Sequence, residues 1–118
     1  MILVDTSVWI DHLRRGNAEL VRLLEEGDVI VHPFVVGELA CGKIKNRVEI
    51  LELLRELPEA SSSDHDEAQH LLESGRLQGK GLGWIDVHLL ASARISDCAI
   101  WTRDRALARA AVGLGVSA

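Results

Sequence analysis

The chain reads as an α/β protein with a central, mostly parallel sheet of four to five strands flanked by helices. Two observations carry that expectation. Short aliphatic runs such as Ile2-Leu3-Val4 and Cys98-Ala99-Ile100-Trp101 have strand character, and each ends in an acid-bearing turn before a helical pattern begins. The chain between them alternates helical spacing with further short apolar runs, which is the rhythm of strands joined by helical crossovers rather than by hairpins.

Taken in order, a strand over 2–4 leads into helices over 7–14 and 17–26. Gly16 and Gly27 punctuate the second of these helices, and Asn17 is its natural cap. A strand over 28–32 precedes helices over 33–41 and 46–56, and a short extended segment lies near 58–62. Asp64, with Glu67 three residues on, forms a capping-box start for a helix over 64–78. Gln78 to Gly83 is a glycine-rich connector. It follows a helix rather than a strand and lacks a terminal Lys-Ser/Thr pair, so it is not a phosphate cradle. A helix over 84–96, a strand over 98–102, a helix over 104–111 and a terminal strand near 113–116 complete the pattern.

At 118 residues and 47% hydrophobic, residues 1–118 make one domain with a substantial core. No basic-then-apolar leader is present, and no apolar stretch approaches a membrane span, so the protein is expected in the cytoplasm. Cys41 and Cys98 lie in apolar patterns outside any C-x-x-C pair and read as buried free thiols.

Four acids stand where solubility does not explain them. Asp5 and Asp104 follow strand-like runs and land at strand-to-helix corners, which in a parallel sheet face one edge, the usual ligand edge of α/β folds. Glu38 has Phe34, Val35 and Cys41 at helical spacing and is expected to point inward; Asp86 shares the stripe of Leu89, Leu90 and Ala93. An ionised carboxylate near apolar packing costs several kcal/mol without a partner, and no Lys or Arg lies on these two stripes, so a divalent cation is the expected counter-charge. Ser7 and Thr102 flank two of the acids as supporting hydrogen-bond donors. Taken singly, each acid has a plainer reading: Asp5 and Asp104 as helix caps, Glu38 at a helix rim, and Asp86 in a first turn starting near Gly83.

Four blocks together are recognisable. Val4-Asp5-Thr6-Ser7-Val8-Trp9-Ile10-Asp11, Val36-Gly37-Glu38-Leu39-Ala40-Cys41-Gly42, Gly81-Leu82-Gly83-Trp84-Ile85-Asp86-Val87-His88-Leu89-Leu90-Ala91 and Trp101-Thr102-Arg103-Asp104 resemble the PIN-domain ribonucleases of the VapC toxin type, over essentially the whole chain. The resemblance implies a PIN-like fold and a Mg²⁺- or Mn²⁺-dependent endoribonuclease with Asp5, Glu38, Asp86 and Asp104 as its catalytic acids. It also implies a cognate antitoxin and self-association as a homodimer. Asp5, Asp86 and Asp104 would hold the metal, and Glu38 would position or deprotonate the attacking water. The chain is short for the family, and 94–99 is compact, which leaves RNA choice open.

A net charge of −5 is unusual for a protein that binds RNA. Setting the four acids aside leaves 14 others against 13 Lys and Arg, so metal loading changes the sign of the site. Arg14-Arg15, 43–47, 76–80, and Arg103 with Arg105 are scattered cations for phosphates. With Phe34 and three tryptophans as the only large aromatics, recognition is expected to rest on RNA shape and phosphates rather than on serial base stacking. The five histidines do not assemble by spacing, and His88 is expected on a semi-exposed face.

Two other classes compete with this reading. A phospho-accepting signalling domain needs an adjacent acidic pair at the first strand and a late lysine, whereas this chain has Asp5-Thr6-Ser7 and Trp101-Thr102-Arg103. The other is a catalytically silent PIN-like scaffold that binds RNA or a partner. Close carboxylates repel by roughly 4 kcal/mol per pair at about 4 Å and an effective dielectric near 20. Asp5→Asn and Asp86→Asn are therefore both expected to abolish cleavage while stabilising the metal-free protein.

Overall fold

The computed structural model describes residues 1–118. Three parallel strands form the sheet: β1 (Ile2–Val4) lies at the centre, with β2 (Val29–Ile30) on one side and β3 (Ala99–Trp101) on the other. The register sets Leu3 against Ile30 and Ile100, and Val4 against Trp101. Four to five strands were expected. The two outer segments each contribute a single parallel bridge, Val31 to Glu59 and Ile100 to Ser117, rather than a ladder. Pro58 at the start of one segment has no N–H to extend such a ladder.

Seven helices surround the sheet: α1 (Thr6–Arg15), α2 (Ala18–Glu25), α3 (Pro33–Cys41), α4 (Arg47–Glu56), α5 (His65–Ser74), α6 (Trp84–Ile95) and α7 (Arg105–Gly113). Their starts follow cap chemistry. Asn17 accepts from the Leu20 N–H, and Asp64 with Glu67 closes both halves of a capping box. Pro33 occupies the first turn of α3, where its missing N–H costs nothing.

Helix α5 stops four residues short of the expected end. Arg76 adopts a left-handed conformation (φ 53°), and the Arg76 and Leu77 N–H groups return to the Glu73 and Leu72 carbonyls, which closes the helix. A β-carbon on the preceding Gly75 would lie 2.9 Å from the Leu71 carbonyl oxygen and 3.2 Å from Leu77 Cγ, so a side chain there would force this exit to shift. The same closure ends α6 at Asp97 (φ 52°), where the Cys98 N–H returns to the Ala93 carbonyl and the chain turns directly into β3.

The core runs through both faces of the sheet. Leu3, Val4, Val8, Leu20, Val35, Leu89, Leu90 and Leu107 are fully or almost fully buried, and α6 is buried continuously from Val87 to Ala93. Helix α6 is thus enclosed on every side over two turns. His88, expected on a semi-exposed face, is 6% exposed as a result. Cys98 is a buried free thiol as expected, but Cys41 is exposed because α3 ends at that residue. No helix is long and apolar enough to cross a membrane.

Candidate active site

The carboxyl edge of the sheet is built by residues that follow the strands directly. Asp5 ends β1 and caps α1; its side chain is 7% exposed and is held by three donors to one oxygen. Ser7 Oγ donates to Asp5 Oδ2 at 2.7 Å, Thr102 Oγ1 at 2.8 Å and the Ser7 N–H at 3.4 Å. Both hydroxyls are used twice: Ser7 Oγ accepts the Arg103 N–H and Thr102 Oγ1 accepts the Asp104 N–H, each at 3.0 Å. The two hydroxyls therefore tie the end of β1 to the turn after β3.

Asp104 caps α7, with Oδ2 accepting the Leu107 N–H at 2.9 Å. Asp86 lies in the first turn of α6 and reaches back to the Gly83 N–H at 2.9 Å. The plainer readings of these residues as helix-start acids are therefore true, and they hold together with the convergence. Burial pushes the Asp86 carboxyl above the ordinary carboxylate range; the Gly83 N–H opposes the shift, and the negative charges of Asp5 and Asp104 add to it. Three acids from separate elements share one electrostatic field.

Glu38 departs from expectation. It is exposed rather than inward-pointing, and the Thr6 hydroxyl donates to its Oε1 at 2.8 Å, which ties α3 to the first residue of α1 beside Asp5. Thr6 was not singled out from the sequence; its place between Asp5 and Ser7 was the available signal.

Each acid spends one oxygen on a hydrogen bond within the protein and leaves the other without a protein partner. None of the four is in an ion pair; the ion pairs all lie elsewhere. Arg103, an expected phosphate cation, is instead bound to Asp11 at 2.7 Å and does not neutralise the cluster. Asp11 also binds Arg15, whose hydrogen bond lowers the Asp11 pKa the most. No three His, Cys, Asp or Glu side chains stand in a ready-made coordination shell. The donor set nonetheless fits a hard divalent ion such as Mg²⁺, which keeps several waters and needs only one or two direct carboxylates.

A second polar cluster lies next to the acids. His32 and His88 are 1% and 6% exposed. The Phe34 N–H donates to His32 Nδ1 at 2.9 Å, which leaves Nε2 of the neutral ring to bond Ser92 Oγ at 3.1 Å. His88 Nδ1 is 3.0 Å from Ser63 Oγ, and the rings of Phe34 and Trp84 stand edge-on to His88. Burial and the neighbouring His88 lower the His32 pKa to about 4. Sequence spacing gave no sign of this cluster, because its members come from three separate segments: His32 with Phe34, Ser63, and the α6 residues Trp84, His88 and Ser92.

The parallel α/β frame thus sets acids without an ion-pair partner at the carboxyl edge of its sheet, the edge at which ligands of such folds bind. The PIN domain family matches residues 2–113, and the chain belongs to that family. It is similar to Ribonuclease VapC32 from two strains of Mycobacterium tuberculosis, with 47% identity over 118 residues that cover 99% of this chain and 95% of each relative.

Proposed function

We propose that residues 1–118 form a single nuclease domain, a divalent-metal-dependent endoribonuclease that hydrolyses RNA phosphodiester bonds as the toxin of a type II toxin–antitoxin pair. One observation carries the reading: Asp86 feels Asp5 and Asp104 across three separate elements, and no basic side chain neutralises them. The 47% identity to a protein named as a ribonuclease supports the same reaction class.

Asp5, Asp86 and Asp104 would hold Mg²⁺ or Mn²⁺ through their free oxygens, partly by way of retained waters. When bound, the ion polarises the scissile phosphate and lowers the pKa of the attacking water. The chain's own residues do the positioning. Ser7 and Thr102 fix Asp5, the Gly83 N–H fixes Asp86, and the α7 backbone fixes Asp104. Glu38, oriented by Thr6 and open to solvent, would position the attacking water or take its proton.

An uncompensated acidic site also suits an antitoxin that inserts an arginine among the carboxylates and competes with the ion. Self-association as a homodimer and a cytoplasmic location complete the proposal. Incubation of tRNAs, rRNA fragments and single-stranded RNA with Mn²⁺ tests the reaction, with Asp5→Asn protein as the blank. New internal ends that appear only with the unmutated protein are expected; intact RNA across the whole pool would overturn the reading.

A further inference from the structure

Between the α5–α6 connector and α7 lies a cavity of about 690 Å³ lined by Gly75, Leu77, Lys80, Arg105, Arg109 and Leu114, among others. Its lining has three cations and no acid, in a chain whose net charge is −5. Lys80, Arg105 and Arg109 are exposed and take no part in any ion pair or side-chain hydrogen bond. Arg15, Arg22 and Arg103 are held by carboxylates, whereas other exposed cations such as Arg55 and Arg94 are also outside any ion pair; what sets Lys80, Arg105 and Arg109 apart is that they line one cavity with no acid among them.

The cavity adjoins the acids through the backbone. Arg105 follows Asp104 directly at the start of α7. On the opposite wall, Gly81 turns with φ 79°, and a β-carbon there would already touch Ala106 at 3.5 Å, so the connector lies against the first turn of α7. Two residues later Gly83 caps α6 and holds Asp86. Arg105 and Arg109 are four residues apart on one helix face, about 6 Å along its axis, so two guanidinium groups follow one another along the wall.

We infer that this cavity is the RNA backbone track of the enzyme: Lys80, Arg105 and Arg109 bind successive phosphates of the strand beside the scissile bond. The inference rests on the ribonuclease reading and adds to it where the strand leaves the acids. A local basic wall resolves the conflict between a net acidic chain and a polyanionic substrate, because backbone affinity depends on the cations lining the groove rather than on total charge. The three cations meet phosphates and carry no base preference of their own.

The test is binding of a fluorescein-labelled single-stranded RNA oligonucleotide, followed by anisotropy across a KCl series in EDTA. An Asp86→Asn background prevents cleavage. Lys80→Gln, Arg105→Gln and Arg109→Gln together should lower the slope of log Kd against log[KCl] by about 2, at roughly 0.7 for each single-strand phosphate no longer neutralised. Between 50 and 200 mM KCl the unsubstituted track then loses affinity about twentyfold more than the triple variant. A control with Arg22→Gln, Arg55→Gln and Arg94→Gln makes the same charge change outside the cavity and should keep the slope. Circular dichroism on both variants establishes that they are folded.

An unchanged slope in the folded triple variant would overturn the track, as would an equal fall in the control. Cleavage of unlabelled RNA by the unsubstituted protein with Mn²⁺ is run in parallel. If that protein cuts while the slope stays unchanged, only the track falls. If it neither cuts nor binds, the ribonuclease reading falls and takes the track with it.

Discussion

Thr102 Oγ1 donates to Asp5 Oδ2 at 2.8 Å, a bond between residues 97 positions apart, and the same oxygen accepts the Asp104 N–H at 3.0 Å. One hydroxyl thus orients two acids. Thr102→Val keeps the side chain's shape but removes a donor from Asp5 and an acceptor from the Asp104 N–H. A hydrogen bond to a charged group contributes about 1.5–3 kcal/mol, so the stability measured by urea unfolding should fall by an amount in that range. Cleavage should drop by about 10–100-fold, as for other residues that orient metal-holding groups. Thr102→Ser, which keeps the hydroxyl, should restore most of both.

Substitution of the acids by Asn should act in opposite directions. Asp86 is half-buried with its pKa raised, so in the metal-free protein its ionised form opposes folding. The folded state holds the proton more tightly than the unfolded chain, and stability therefore falls as pH rises from the ordinary value near 3.8 through the raised one. Asp86→Asn removes that loss and should raise the Tm in EDTA by a few degrees at neutral pH while abolishing cleavage. Asp5 differs because its charge is met by three donors to one oxygen. Asp5→Asn should destabilise by roughly 2 kcal/mol, contrary to the sequence expectation for both acids. Melts of the two variants in EDTA between pH 4 and 8, about the carboxylate range and above, read the contrast directly.

Glu38 is exposed and is bonded to Thr6 rather than to the core. Glu38→Gln should leave stability unchanged within about 0.5 kcal/mol, as for an ordinary surface substitution. Its kcat should fall by about 10²–10⁴, the usual contribution of a positioned proton acceptor. Thr6→Val should lower kcat by a smaller factor with KM nearly constant. Steady-state kinetics on a single RNA substrate separate the two.

The His32 cluster gives the protein an acid limit. The His32 pKa is lowered to about 4, so the folded state holds the neutral ring while the unfolded chain titrates near 6.5. Stability from this group is present above pH 6.5 and is lost as pH falls toward about 4. His88 shifts in the same direction, from burial first and then from His65. His32→Asn offers the Phe34 N–H an acceptor that does not gain a proton, so it should flatten the stability profile across that window. Urea unfolding at pH 7.5 and 5, about one unit or more on either side of the histidine range, checks it.

Asp5 and Asp104 were legible in the sequence because a strand-like run fixes where the next residue lands. Asp86 was legible because Trp84 to Ile95 has a clear start after Gly83. The inward orientation expected of Glu38 was wrong: α3 is apolar around most of its circumference, so periodicity selects no inward face, and its partner Thr6 is 32 residues away. His88 was misplaced for a related reason, since burial from Val87 to Ala93 follows from what encloses α6 rather than from its own pattern. The early end of α5 depends on Arg76 taking a left-handed conformation that arginine seldom adopts. The outer strands fell short because single bridges at Glu59 and Ser117 replace the expected ladders.

The central claim is that Asp5, Asp86 and Asp104 jointly hold a divalent ion. Calorimetric titration of Mn²⁺ into the metal-free protein, with Asp86→Asn beside it, tests this most directly. Saturable Mn²⁺ binding by the unmutated protein, accompanied by a rise in Tm and lost in folded Asp86→Asn, is the predicted result. No saturable binding, or equal binding by Asp86→Asn, would contradict it.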